Sequence, residues 1–330
     1  MKRNAFFDNA RVLLIFLVVF GHMLQPLIDG SRGLHTLYIW IYTFHMPAFV
    51  LLSGFFAKGS GDKGYIMKLA KKLLLPYFIF QVLYTLFYFL LGKESWQTGL
   101  FDPQWSLWFL FSLFSWHLLL ILFRKMPVGL GIVLSVVIGL IVGYFDDIGH
   151  TFSLSRTFVF FPFFLIGFWL TEKQILQVKR KSVKATSLVI MVGLAAALYY
   201  APDFNSGWLL ASKSYIDLGM EDYGGLARLF VYITAAIMVT SILAWVPTKS
   251  LGWVTSLGGR TLYVYLLHGF LIQFFRQADL FEVNNIVELL GIAGLSASIV
   301  IVLSSRPILG IWQPFIEGKA TIIKNTLREI

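Results

Sequence analysis

The chain of 330 residues contains no cysteine, which excludes disulfides, thiolate catalysis and cysteine-ligated metal centres. It is also poor in charge: Asp, Glu, Lys and Arg together make up 13% of it. Acids are the scarcer sign, 17 against 27 Lys and Arg, leaving a net charge of +10. No Walker A loop, G-x-S-x-G elbow, H-E-x-x-H pair or dinucleotide-binding glycine pattern occurs in it. There is no low-complexity tract and no internal repeat. What fills the chain instead is apolar: 58% of residues are hydrophobic and the mean hydropathy is +0.76.

Those apolar residues fall into about ten stretches, most close to the ~20 residues that cross ~30 Å of hydrocarbon. They run at 11–28, 36–57, 72–91, 105–123, 128–145, 156–171, 184–200, 228–246, 261–277 and 286–304, the fifth and sixth being the least regular. The expected fold is therefore all-α: a polytopic integral membrane protein of about ten transmembrane helices forming one domain over residues 1–330. Lys2 and Arg3 precede the first stretch as in a signal peptide. No small-residue cleavage site follows, however, and nine further stretches do.

Basic residues orient the chain. With the N-terminus inside, cytoplasmic segments hold 21 of the 27 Lys and Arg, and outer segments only Arg32, Lys93, Arg156, Lys213, Arg228 and Arg276. Lys63 belongs to the inner set. An even number of spans then places both termini in the cytoplasm. The positive balance reads as topology and attraction to anionic membrane lipids, not as a nucleic-acid footprint. The expected location is the cell (cytoplasmic) membrane.

Two ionisable residues share the first span. Eleven steps of about 100° bring His22 to within roughly 20° of Arg11, three turns and about 16 Å further along. Arg11 sits at the inner face and His22 near or beyond the middle, a depth at which an ionisable group is a functional candidate. The spacing predicts that both line one cavity open to the cytoplasm. His45, in Phe44-His45-Met46-Pro47, and His268, in Tyr263-Val264-Tyr265-Leu266-Leu267-His268, fall at comparable depths. Pro47 removes one backbone donor and frees a carbonyl beside His45. Any of these histidines has a plain alternative as a satisfied core group, and His117, beside Trp116, is read that way. His35 and His150 lie in outer loops. No two histidines stand at i, i+3 or i, i+4 and no carboxylate accompanies them within the membrane, so no metal site is expected. The long outer segment 201–227 carries Asp203, Asp217, Glu221, Asp222, Trp208, Tyr215 and Tyr223. It reads first as a solvated connector and second as the border of a polar ligand site.

Several motifs resemble one family in order along the chain. Asp8-x-x-Arg11 followed by His22 resembles the opening of the acyltransferase-3 family of polytopic acyltransferases. Phe44-His45-Met46-Pro47 leading to Leu52-Ser53-Gly54-Phe55-Phe56 is similar to its second-helix signature. Lys68-x-x-Lys71-Lys72 before Leu75-Pro76-Tyr77 resembles its basic inner loop, and Trp105-Ser106-Leu107-Trp108-Phe109-Leu110 its fourth-helix pattern. Ser256-Leu257-Gly258-Gly259-Arg260-Thr261-Leu262-Tyr263-x-Tyr265-x-x-His268 resembles its late tyrosine–histidine helix. The Phe-His-Met-Pro subset is most similar to fucose 4-O-acetylase-like members. The basic pair is usually arginine in the family and is lysine here, without the bidentate phosphate fork. With the chain ending at Ile330, no appended soluble domain is expected.

The resemblance implies transfer of an acyl group, most simply acetyl, from cytoplasmic acyl-CoA to a hydroxyl of an extracytoplasmic or lipid-linked glycan. No covalently bound cofactor is implied; acetyl-CoA is the donor substrate. Arg11, Lys68, Lys71 and Lys72 would meet CoA phosphates at the inner mouth. His22 would act with Arg11 in catalysis, either as general base or as covalent acyl acceptor. Asp8, His45, Trp105, Trp108, Tyr263 and His268 are candidates to orient the ring or bind the oxyanion. A different class, a transporter or exporter of a glycan or lipid-linked intermediate, would use the same polar groups. It would call for inverted repeats and paired broken helices, which the chain does not display. A scaffolding subunit would not need Arg11 and His22 on one stripe.

Overall fold

The structure, a computed structural model, describes residues 4–59, 64–92, 99–146, 148, 151–201, 204–278 and 280–319. Lys2, Arg3, Lys63, Lys93, His150 and Asp203 of the sequence reading lie outside these. Among the described residues every regular element is helical. Seven helical stretches are long and apolar enough to cross a membrane: Ala5–Gly30, Arg32–Gly59, Tyr65–Leu90, Trp105–Phe123, Lys181–Tyr200, Gly224–Trp245 and Ile286–Leu303. An eighth qualifies if Leu154–Trp169 and Glu172–Lys179, bent by 102°, count as one span. The fifth and ninth stretches of the sequence form the shorter helices Val128–Tyr144 and Thr261–Gln277. The molecule is thus an all-helical, multi-pass membrane protein.

Two compact units, each assembled from distant parts of the chain, make up the fold. The first takes residues 1–30, 67–111 and 247–330, and the second residues 31–66 and 112–246.

The first unit is built around α1 (Ala5–Leu24), which packs on three helices from the far end of the chain. Asn4 caps it, its side chain accepting from Phe6 N at 2.9 Å. Asn9, buried one turn in, donates to the carbonyls of Pro247 and Lys249 at 2.9 Å each and accepts from Thr255 Oγ1 at 2.6 Å. That saturates its amide and ties the start of α1 to residues 247–255.

In the second unit, α2 (Arg32–Tyr42) and α3 (His45–Phe55) are two halves of one span. The break falls at Thr43 and Phe44. Pro47 has no N–H for the carbonyl of Thr43, and it is accommodated in the first turn of α3, where an N–H would be unpaired anyway. Thr43 Oγ1 donates to Trp40 O at 2.7 Å and His45 Nδ1 to Ile41 O at 3.0 Å, satisfying carbonyls exposed by the break. α3 then lies directly on α7 (Leu154–Trp169), backbone against backbone. A Cβ on Gly54 would fall 1.9 Å from Phe164 O, and one on Gly167 would fall 1.9 Å from Leu51 O. Such approach of small residues is how helices associate in lipid, where no hydrophobic effect drives them together.

The outer segment is not a solvated connector. Trp208, Tyr215 and Leu218 are buried together, with Trp208 and Tyr215 stacked at 5.5 Å between centroids. The Tyr215 hydroxyl donates to Leu140 O at 2.8 Å, its N–H to Gly143 O at 2.7 Å, and buried Arg228 donates to Trp208 O. These three bonds, made by Tyr215 and Arg228, fold this segment onto its own unit. The acids that suggested a solvated strip are only part of its composition.

Candidate active site

His22 lies in the last turn of α1, half-buried. Its ring meets two others. The Trp105 centroid is 4.4 Å away and that of His268 is 5.6 Å away, while Trp105 and His268 are 5.1 Å apart. Three residues separated by 83 and 163 positions in the sequence thus form one closed group of rings.

Each of the two partners is held in place. His268 sits within α13 (Thr261–Gln277), entirely buried. Its Nδ1 donates to Val264 O at 3.0 Å, so the proton is on Nδ1 and the Nε2 lone pair is the free valence of the ring. That Nε2 is buried without a partner among the described residues. Trp105 has φ of +44°, the left-handed region that a bulky residue seldom occupies. A strained backbone of this kind persists only where its surroundings over-determine it. Here they do. Buried Gln81, on α4 (Tyr65–Leu90), donates to Asp102 O at 2.8 Å and Gly99 O at 3.2 Å and accepts from Gln104 N at 2.9 Å. Beyond Trp105, the Tyr265 hydroxyl donates to Ser106 O. Gly269 makes room: a Cβ there would lie 2.3 Å from both the Trp105 ring and the Tyr84 hydroxyl. Tyr84 itself donates to Leu266 O at 2.9 Å and stacks flat on Phe270 at 4.2 Å.

Arg276 completes the group, although in the sequence it counts only as an orientation charge. Its Nη2 donates to His22 O at 2.7 Å and to Gln25 Oε1 at 2.8 Å, and its Cζ lies 5.8 Å from the Trp105 ring centroid. The His22 carbonyl is one of the last four of α1, which intrahelical bonds leave open, and a cation there complements the helix dipole. A cavity of about 60 Å³ opens beside it, with His22, Pro26 and Leu27 on one wall and Ile272, Phe275 and Arg276 on the other. A basic residue in the final turn of a span looks like any other orientation charge, which is what conceals Arg276 in the sequence.

The other predicted residues are distributed more widely. Arg11 is at the opposite end of α1, where Nη1 lies 3.5 Å from Oδ1 of buried Asp8. The cavity at His22 does not reach Arg11, contrary to the expectation of one shared cavity. The intervening turns carry Leu14, Ile15, Leu17 and Val18, all buried in packing. Lys68, Lys71 and Lys72 lie exposed in the first two turns of α4, at i, i+3 and i+4 on one face. Tyr263 is buried and donates to Glu317 Oε1 at 2.7 Å, which ties α13 to α15 (Arg306–Glu317) and turns its hydroxyl to that partner. Trp108 begins α5 (Trp108–Phe123), its ring edge-on to Phe109 at 5.9 Å. In the second unit, buried His45 makes its backbone bond to Ile41 and stands edge-on to Tyr42 at 4.4 Å. His117 is buried with Nδ1 3.1 Å from the Tyr65 hydroxyl, a packed core group as read from the sequence.

The helix α1 thus bears a histidine among rings at one end and a cation toward the other. A family model described as an acyltransferase domain matches residues 4–305. The chain belongs to this family, acyltransferase-3. It is 42% identical over 62 residues to nodulation protein NolL of Mesorhizobium japonicum and 40% identical over 62 residues to NolL of Sinorhizobium fredii. Each match covers 18% of this chain, and the chain spans 17% of the length of each relative. No solved structure matches.

Proposed function

We propose that the protein is an O-acyltransferase of the cell membrane that moves an acetyl group from cytoplasmic acetyl-CoA to a hydroxyl of an extracytoplasmic or lipid-linked glycan. The observation that carries the reading is the ring group at His22, a nitrogen base held beside a buried unpartnered imidazole nitrogen at the mouth of a cavity. We take the chain as one acyltransferase domain of ten spans with both termini inside, of the fucose 4-O-acetylase-like kind. The positive-inside distribution supports that orientation.

His22 acts as general base. It takes the proton from the acceptor hydroxyl as the oxygen attacks the thioester carbonyl carbon. The new C–O bond forms, the C–S bond breaks, and the proton passes to the departing CoA thiolate. A positioned base contributes roughly 10²–10⁴-fold to such a step. Imidazole serves near neutrality because its ordinary pKa is about 6.5. Trp105 fixes the ring from one side. His268 offers its Nε2 lone pair from the other, as acceptor for an N–H or O–H in the reacting group. Arg11, held by Asp8, and the exposed face of Lys68, Lys71 and Lys72 bind the phosphates of CoA. The lysines act as point charges, without the bidentate fork of arginine.

Thiol release from acetyl-CoA by purified protein tests the reading. Wild type is expected to release CoA when a glycan acceptor is supplied, and His22→Ala to retain less than about a tenth of that rate. A transporter of glycan intermediates would release no thiol in either form.

A further inference from the structure

The cavity at the end of α1 has a composition and a position that the reaction leaves unused so far. Among the described residues its charged or ionisable walls are His22 and Arg276, and the rest of its described lining is apolar. Phe275 and Phe281 stand edge to face there at 5.5 Å. About 60 Å³ holds a few water-sized groups, enough to admit a hydroxyl. Pro26 and Leu280 are exposed at its mouth. It lies at the end of α1 away from Arg11, and the basic-residue count puts that end outside. Among its neighbours, His268 Nε2 is buried and unpartnered beside His22.

We propose that this cavity, between His22 and Arg276, is the acceptor subsite: it opens to the extracytoplasmic side and admits one hydroxyl of a sugar, whose apolar ring face rests on the aromatic wall at Phe281. The inference deepens the proposed function and rests on it. Mostly apolar pockets with a few placed polar groups are the usual form of a small-molecule site, and here the two polar groups have separate tasks. His22 meets the hydroxyl. Arg276 is a positioning residue: its bonds to His22 O and Gln25 hold the helix end, and so the imidazole, at a fixed distance from the wall. With the CoA phosphates bound at Arg11 and the lysines on the inner side, the acceptor need never cross the bilayer.

The chain has no cysteine, so a single introduced thiol reports its own position. Leu280→Cys and Leu27→Cys place one on opposite walls of the cavity. Intact cells expressing each variant are treated with a membrane-impermeant, negatively charged methanethiosulfonate, and incorporation of radiolabelled acetate into alkali-labile envelope esters is then followed. Each variant is compared with itself before treatment. Expected are labelling from outside in both variants and a fall of at least tenfold in acetate incorporation. Acetyl-CoA binding by the purified labelled protein should stay within about twofold, which a collapse of the structure would not allow. Labelling that leaves incorporation intact would overturn the proposal. So would thiols that react only with a permeant reagent. Wild-type cells that incorporate no acetate would overturn the enzyme reading itself, and the subsite with it.

Discussion

His45 in the second unit and His268 in the first make the same backbone bond. Each donates from Nδ1 to the carbonyl four residues earlier, Ile41 or Val264, at 3.0 Å, and each is buried, with 2% and 0% of its surface exposed. At His45 the bond serves a break between α2 and α3, where Pro47 interrupts the backbone ladder. At His268 no break is present, since α13 runs through it from Thr261 to Gln277. The ring bond there adds nothing the helix lacks except a fixed tautomer and a fixed ring plane. One histidine repairs a backbone and the other is aimed. Buried imidazole in a membrane helix is therefore not diagnostic by itself; what distinguishes the two is the company of the second nitrogen.

The same contrast extends to the units around them. In the second unit several buried polar groups close structural bonds: Trp116 Nε1 donates to Thr157 O at 2.7 Å, Ser112 and Thr157 pair at 2.8 Å, and Tyr232 donates to Val159 O at 2.8 Å. In the first unit the polar groups of α1 and α13 converge on a cavity. The largest effect should come from breaking the packing of the second unit. Gly54→Leu or Gly167→Leu places a side chain where a Cβ already meets a carbonyl oxygen at 1.9 Å, so α3 and α7 must part. Size-exclusion chromatography in detergent is expected to show loss of the monodisperse protein, beyond the roughly 1–3 kcal/mol of ordinary overpacking. A monodisperse, thermally unshifted variant would show that the two helices tolerate separation.

Substituting the two histidines sharpens the comparison. His268→Ala is expected to lower the rate of CoA release about 10–100-fold with little change in the thermal midpoint. His45→Ala should instead lower the midpoint, with a loss of about 1–2 kcal/mol for the bond removed. Both are read on the same detergent-solubilised samples, by thiol release and by a thermal ramp. An inverted pattern, with stability lost at position 268 and turnover at 45, would reassign the aimed histidine.

Smaller effects are expected at the exposed lysines. Lys71→Ala or Lys72→Ala should raise KM for acetyl-CoA a few-fold at low ionic strength, less at high salt, and change kcat little, because remote phosphates contribute mainly uniform binding. An unchanged KM at both ionic strengths would leave these lysines as orientation signals.

How far the sequence discloses this arrangement depends on the kind of contact. The apolar stretches coincide with helices because hydropathy and length largely dictate them, but length in the sequence does not say which of these helices are long enough to span: Val128–Tyr144, Leu154–Trp169 and Thr261–Gln277 fall short on their own. His22 stood out because an ionisable group deep in an apolar run is costly. Its neighbours do so by motif resemblance only: nothing in the local sequence around Trp105 announces φ of +44°, which Gln81 supports from a different helix through the Gln104 N–H. Arg276 and Asn9 carry no such signal, because their partners are backbone carbonyls and side chains distant in the sequence, which leave no signature in local patterns. The shared cavity expected for Arg11 and His22 failed for a related reason. Helical periodicity places two residues on one stripe but does not say whether the stripe is lined or packed between them.

The central claim is that His22 is the proton-transferring group of an acyltransferase, and the most direct test is the rate of CoA release from acetyl-CoA by purified wild type and His22→Ala, with folding of both verified by thermal ramp. The account predicts a variant that is folded, still binds acetyl-CoA and retains less than about a tenth of the wild-type rate. A folded His22→Ala protein that releases CoA as fast as wild type would contradict it.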